Sequence, residues 1–148
     1  MTLIVLDASE MLLAANAGIM RRIENIKKGA KQPYIYDGNV SWQIDIEGAM
    51  GEFALAKHLN VFWHGKGKMR GWDVGTCDAR TTRHLNGHLI IHPQDHDDKI
   101  VWLMTGQNGE YIVRGFIKAG DAKQEKYWKK PFEGSPAFFV PQTDLKNN

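Results

Sequence analysis

A helix-borne glutamate followed by an acid and then an acid-x-base triplet stands in the middle of this chain. Glu52 lies in Gly51-Glu52-Phe53-Ala54, Asp73 follows, and Cys77-Asp78-Ala79-Arg80-Thr81-Thr82 comes next. Three carboxylates and one cation are groups that can surround a divalent metal, which points to phosphodiester chemistry. If 77–82 is extended, alternation sends Asp78, Arg80 and Thr82 to one face and Cys77, Ala79 and Thr81 to the other. An acid and a base then share a face. Hard oxygen donors with open positions suit Mg²⁺ or Mn²⁺, which lowers the pKa of a bound water and offsets charge developing on a phosphate. The same spacing also describes a plain ion pair on a sheet face.

The elements that must position these groups are legible in outline. A first helix is expected after Asp7 or Ser9, either of which can cap free backbone N–H groups, running through Leu12, Leu13, Ala17, Met20 and Ile23 towards Lys28. Gly29 stops it. Pro33 to Gly38 reads as a loop, and a second helix spans roughly Trp42 to Leu59 with Glu52 in its middle. Ile46, Met50, Phe53 and Leu59, with Ala49 and Ala56, form its apolar stripe, and Gly48 and Gly51 allow another backbone to come close. Glu52 borders that stripe.

From Val61 the pattern changes to short apolar runs separated by turn residues, the mark of a sheet. Val61–Trp63 is a candidate first strand, and Leu89–Ile91 and Ile100–Met104 are candidate central strands. Gln94 to Lys99 reads as a solvated turn, since its aspartates lack the glycine and terminal glutamate of a calcium loop. Tyr111–Ile117 follows the Asn108-Gly109 turn as a further strand. Ala137–Val140 closes the chain as a short extended segment. The expected fold class is α/β with α+β character: a mixed central sheet flanked by helices.

Composition bounds the rest. With 148 residues, 43% of them hydrophobic, the chain has material for one core and reads as a single domain over 1–148. A net charge of +2 is too small to announce a nucleic-acid binder, so charge placement must carry that inference. Cys77 is the single cysteine, which excludes an internal disulfide and a cysteine-cluster zinc site and fits a reducing cytoplasm. His84, His88 and His92 stand about 13 Å apart along a strand, too far for one metal. No apolar run approaches a membrane span, so no membrane partner is expected.

Cations gather around the acids. Lys66, Lys68 and Arg70 lie in a glycine-rich link into Asp73, and with Arg80 and Arg83 they form a cationic rim suited to a polyanion. Asp121 to Lys130 mixes four lysines with Tyr127 and Trp128, a composition that either grips a nucleic-acid backbone or anchors a surface segment.

From about Trp42 to Lys118 the order of helix, short strand, acidic hairpin and two further strands resembles the PD-(D/E)XK, or restriction-endonuclease-like, superfamily of metal-dependent nucleases. Asp73 matches the first acid, Asp78-Ala79-Arg80 the acid-x-base element, and Glu52 the helical glutamate of many members. The resemblance implies Mg²⁺ or Mn²⁺ held by Glu52, Asp73, Asp78 and the Ala79 carbonyl, with Arg80 positioning water or stabilising the phosphate. It also implies nucleic acid as substrate, DNA above RNA, bound through Lys66, Lys68, Arg70 and Arg83. Small stand-alone members are frequent in phages, which implies viral DNA metabolism in a host cytoplasm. Two departures stand out: Arg80 replaces the usual lysine, and Trp72 rather than proline precedes the first acid. Arginine stays protonated and cannot act as a general base, although it can clamp a phosphate.

That departure keeps two other readings open. One is a nucleic-acid-binding or assembly protein that keeps a nuclease-like fold without turnover. The other is an unrelated α+β interaction domain whose five tryptophans help form a partner surface. Oligomeric state is open on every reading.

Overall fold

A computed structural model describes residues 1–29, 38–66, 72–131 and 134–147, with 38–40 described as backbone only. Lys68, Arg70 and most of the Pro33–Gly38 loop lie outside the described residues. The elements run β1 (Thr2–Val5), α1 (Ala8–Lys27), α2 (Gly38–Leu59), β2 (Cys77–Thr82), β3 (Leu89–Ile91), β4 (Ile100–Gln107), β5 (Glu110–Lys118), α3 (Ala119–Ala122), β6 (Trp128–Lys129) and β7 (Ala137–Val140). The α+β character expected from the sequence is present, with a mixed four-stranded sheet ordered β1-β5-β4-β2.

In that sheet β4 pairs antiparallel with β5 and parallel with β2, leaving β1 and β2 as its edges. The hairpin between β4 and β5 turns at Asn108 and Gly109, both at positive φ, the conformation that a tight two-residue turn requires. On one face Trp102, Met104, Tyr111 and Val113 pack under Met50, Ala54 and Leu55 of α2 and Ala14 of α1. On the other, Val101, Leu103 and Ile117 meet Leu89 and Ile91 of β3, Val140 of β7 and Tyr127. Strand β4 is therefore buried on both sides and carries an unbroken apolar run, as such strands do.

Two expectations need correction, and one strand was not foreseen. Residues 61–63 form no strand: Trp63 instead stacks edge-on against Phe53 and Phe62 points into solvent. Leu89–Ile91 is not central to the main sheet but pairs with β7 in a second sheet ordered β3-β7-β6. That small sheet covers the face opposite α1 and α2, so the long helices flank one side only. Strand β1, hidden in the sequence because it is four residues long, pairs with β5 at the far edge.

Helix α1 starts where expected, with Asp7 accepting from the Glu10 N–H while Glu10 accepts from the Asp7 N–H. Gly29, at φ +64°, follows its end. The large apolar residues that mark this helix do not bury it. Leu12, Leu13 and Met20 are exposed, whereas Ala14, Gly18 and Arg22 face inward. The cause is how closely the helices approach: a methyl built on Gly18 would stand 2.6 Å from both the Asp45 carbonyl oxygen and the Ile46 Cα. On another side of α2 a methyl at Gly51 would collide with the Thr81 side chain on β2. Among the described residues no helix is long and apolar enough to cross a membrane.

These contacts make two glycines of similar sequence context behave oppositely. Gly18→Ala should lower stability by about 1–3 kcal/mol, since backbone on the facing helix cannot step aside. Gly48→Ala should raise stability by up to about 1 kcal/mol through helix propensity, because a methyl there meets nothing within 4 Å. Urea denaturation of both variants checks this; equal effects would show that the helices do not meet at Gly18.

Candidate functional site

Glu52 is fixed by its neighbours on α2. Gly51 lies against Thr81 of β2, so the next residue arrives at the sheet edge, at the seam that α2 forms with α1. There Arg21 of α1 meets it as a two-pronged pair, Nη1 to Oε1 at 2.9 Å and Nη2 to Oε2 at 2.8 Å. The Trp63 indole N–H donates to Oε2 at 3.2 Å, and Arg21 also donates to the Gly65 carbonyl. About two helical turns before Glu52, Asp45 faces Arg22, 3.6 Å away. The α1–α2 seam is thus built of largely buried ions as well as glycine.

Asp73 precedes β2 in a tight turn closed by Val74 and Cys77, which exchange both backbone hydrogen bonds. This turn folds Asp73 back over the strand. Its Oδ2 accepts from the Ala79 N–H at 3.3 Å, and its own N–H donates to Asp78 Oδ1 at 3.2 Å. Glu52, Asp73, Ala79 and Arg80 line one polar cavity of about 490 Å³, joined by Arg21, Glu24, Asn25, Lys28, Asp45 and Lys66. Four of the residues singled out by spacing therefore meet, and Lys66 joins them from the cationic rim.

Asp78 takes a different position. Alternation does place it with Arg80, whose Nη1 lies 4.0 Å from its Oδ2. Ala79 between them packs beneath α2, so Asp78 and Arg80 both leave the strand on its opposite face, but Arg80, long and on an edge strand, still reaches the cavity wall whereas Asp78 does not. Asp78 is 1% exposed, does not line the cavity, and holds Lys99 at 2.7 Å in an ionic contact without hydrogen-bond geometry. The expected triad is thus two carboxylates on the cavity and one behind it. Among the described residues no group of three or more His, Cys, Asp or Glu side chains is placed to hold a metal ion. Arg83, also expected on the rim, lines a neighbouring cavity of about 250 Å³.

Three residues of this arrangement escaped the sequence reading. Arg21 looked like part of a solvated helix face. Asp95 sits in what looked like a plain turn, yet accepts from Arg80 Nη2 at 3.0 and 3.1 Å and from the His92 N–H at 2.8 Å. Lys99, at the end of that turn, counters Asp78 and lies 5.8 Å from the centre of the Trp72 ring. No local signal identifies these partners, because each is supplied by a different element. The Asp121–Lys130 segment is anchored rather than free: Lys123 binds Asp97 and the Asp95 carbonyl, and Tyr127 donates to Asp144.

The electrostatics of the cavity follow from burial. Desolvation pushes Glu52 up to about 7, with Asp73 adding repulsion and the Arg21 hydrogen bonds pulling the other way. Asp73 is raised by burial first and by the nearby Asp78 charge second, against the Ala79 N–H and the charges of Arg80 and Arg21. Asp95 behaves differently: burial would raise it, but the Arg80 charge and the His92 and Arg80 hydrogen bonds hold it below the ordinary range. Asp45, on the same cavity, is also raised by burial against the charges of Arg22 and Arg21, so three carboxylates that resist ionisation share it, a feature concentrated at functional sites though also found in structural ion networks.

Comparison with protein-family models, with curated proteins and with solved structures finds no match. The site therefore stands on its own geometry.

A raised carboxyl binds its proton more tightly in the folded state, so its contribution to stability is full below the unfolded value near 4.5 and is lost as pH rises through about 7. Stability should fall across that window in wild type, and Glu52→Gln should flatten the fall whatever its effect on absolute stability. Urea midpoints measured from pH 4 to pH 8 test this; an unchanged slope in Glu52→Gln would assign the titration elsewhere.

Proposed function

We propose that this chain acts on the phosphodiester backbone of nucleic acid, DNA in the first instance, as a metal-dependent nuclease of the restriction-endonuclease-like type. The observation that carries the reading is the meeting of Glu52 and Asp73 on one polar cavity with Arg80 and Lys66. Mg²⁺ is commonly held by one or two carboxylates together with water and substrate phosphate, so two cavity carboxylates are a sufficient protein donor set. Burial is the main cause of their raised proton affinities, and a neighbouring carboxylate charge, Asp73 for Glu52 and Asp78 for Asp73, adds to it; that repulsion is what a divalent cation would relieve. Glu52 and Asp73 would hold Mg²⁺ or Mn²⁺, which supplies a water of lowered pKa and charge neutralisation when bound.

The chain's own residues have separate work. Lys66 and Lys28, which have no ion-pair partner among the described residues, attract the phosphate backbone to the cavity mouth. Arg80 is oriented by Asp95, so its guanidinium is held at the cavity wall as a donor to phosphate oxygen rather than as a base. Asp78 acts through position: it takes the Asp73 N–H and balances Lys99, which fixes the turn that carries Asp73. Arg21 is the counter-ion of Glu52 and occupies both carboxylate oxygens.

That last contact favours a second reading. If Arg21 never yields Glu52, the cavity binds nucleic acid without cleaving it, and the protein serves in binding or assembly. Cleavage assays separate the two. With Mg²⁺ or Mn²⁺ the purified protein should cut DNA, Asp73→Asn should abolish cutting, and Arg80→Ala should lower the rate by about 10²–10³ while Arg80→Lys retains part of it. An inert wild type that binds DNA supports the second reading.

Binding itself has a salt signature. DNA affinity should fall steeply with salt, and Lys66→Ala should reduce the log–log slope by about one, the share of a single phosphate contact. A salt-independent affinity would remove the cationic rim from the site.

A further inference from the structure

The cavity that Arg83 lines is separate from the one beneath Glu52, and the reading of the main site does not use it. It has a volume of about 250 Å³ and lies between the first half of α2, where Gln43, Glu47 and Gly48 face it, and the end of β2, where Thr82, Arg83 and His84 close it. Both cavities open on the same sheet edge. Ala79 and Arg80 line the first and 81–84 line the second, so at about 3.3 Å per residue they succeed each other within roughly 10–13 Å along β2. An extended single strand laid along this edge would pass from one to the other.

The chemistry of the second cavity suits a nucleotide unit. Arg83 is exposed and has no ion-pair partner among the described residues, so its guanidinium is available to phosphate. Glu47 forms no ion pair with it among the described residues, and its two oxygens are directed to the Asn108 N–H and the Tyr111 hydroxyl. Gln43, Thr82 and His84 bring donors and acceptors, while Gly48 leaves open space where any larger residue would project a side chain. Ile44 adds an apolar side chain to this polar lining, and a small cavity with a few polar groups around apolar surface suits a base or sugar.

We infer that this second cavity is the subsite for the nucleotide adjoining the one at Glu52 and Asp73, with Arg83 on the intervening phosphate. The inference rests on the nucleic-acid reading of the main site and adds where the strand runs: along the open edge of β2, over α2. It does not depend on whether the bond is cut.

Gly48→Leu is the direct probe. Leucine is a far better helix former than glycine and nothing lies within 4 Å of the added Cβ, so the variant should melt no lower than wild type while filling the cavity. Fluorescence anisotropy with labelled single-stranded oligothymidylates of two to eight nucleotides, in EDTA at low salt, reads the effect without turnover. Wild-type affinity should rise with length, and Gly48→Leu should bind the longer oligomers about tenfold or more weakly, the share of one seated base. Arg83→Ala should lower the salt slope by about one.

Equal binding by wild type and both variants overturns the subsite while leaving the main-site reading intact. A wild type that binds no oligonucleotide ends the nucleic-acid reading and this inference with it. If Gly48→Leu leaves oligomer binding unchanged but shifts the sedimentation coefficient, the cavity is a contact between copies of the chain and the subsite is wrong.

Discussion

The structure depends on how closely α2 is held on two sides at once. Gly18 lets the backbone of α1 rest on Asp45 and Ile46, and Gly51 lets β2 press its Thr81 against the helix. Neither contact tolerates a methyl without movement, so α2 has little freedom to rotate or slide. Glu52 inherits that rigidity. Its carboxylate is delivered to the place where α1, α2 and the edge strand β2 converge, and the same contacts bring Arg21 to one side of it and Asp73 to the other.

Charge at that place is arranged in alternation rather than in a single field. Arg21 neutralises Glu52, Lys99 neutralises Asp78, and Asp95 neutralises Arg80, while Asp73 has only backbone N–H and distant charges to support it. Leaving one partner of such a buried pair alone would be strongly unfavourable, which is why each charge comes with its counter-charge from a separate element. Asp73 is the least compensated group and faces the cavity. The edge position of β2 makes this possible, since a central strand would have a neighbour where the cavity now lies.

Much of this was legible in the sequence where local rules govern. Asp7 with Glu10 announced the start of α1, Asn108-Gly109 announced the hairpin, and period-two alternation put Asp78 and Arg80 on one face. What the sequence could not supply was the other side of each contact. Val61–Trp63 has the composition of a strand but, among the described residues, no strand pairs with it. Leu89–Ile91 has the same composition and finds β7 rather than β4, a choice made only by the tertiary fold. In α1 the large apolar residues signalled helix, yet close packing selected Ala14, Gly18 and Arg22 for the inner face. For the same reason Arg21, Asp95 and Lys99 passed as solvated charges, and Asp78 was assigned to a cavity that its strand face turns away from.

The central proposal is that Glu52 and Asp73 would form a cation-accepting pair once nucleic acid reached the cavity and Arg21 yielded. Calorimetric titration of Mn²⁺ into the protein with a non-cleavable phosphorothioate oligonucleotide tests it most directly. The account predicts Mn²⁺ binding that the oligonucleotide strengthens in wild type and that Glu52→Gln and Asp73→Asn each remove. Mn²⁺ affinity that is the same in wild type and both variants would contradict it.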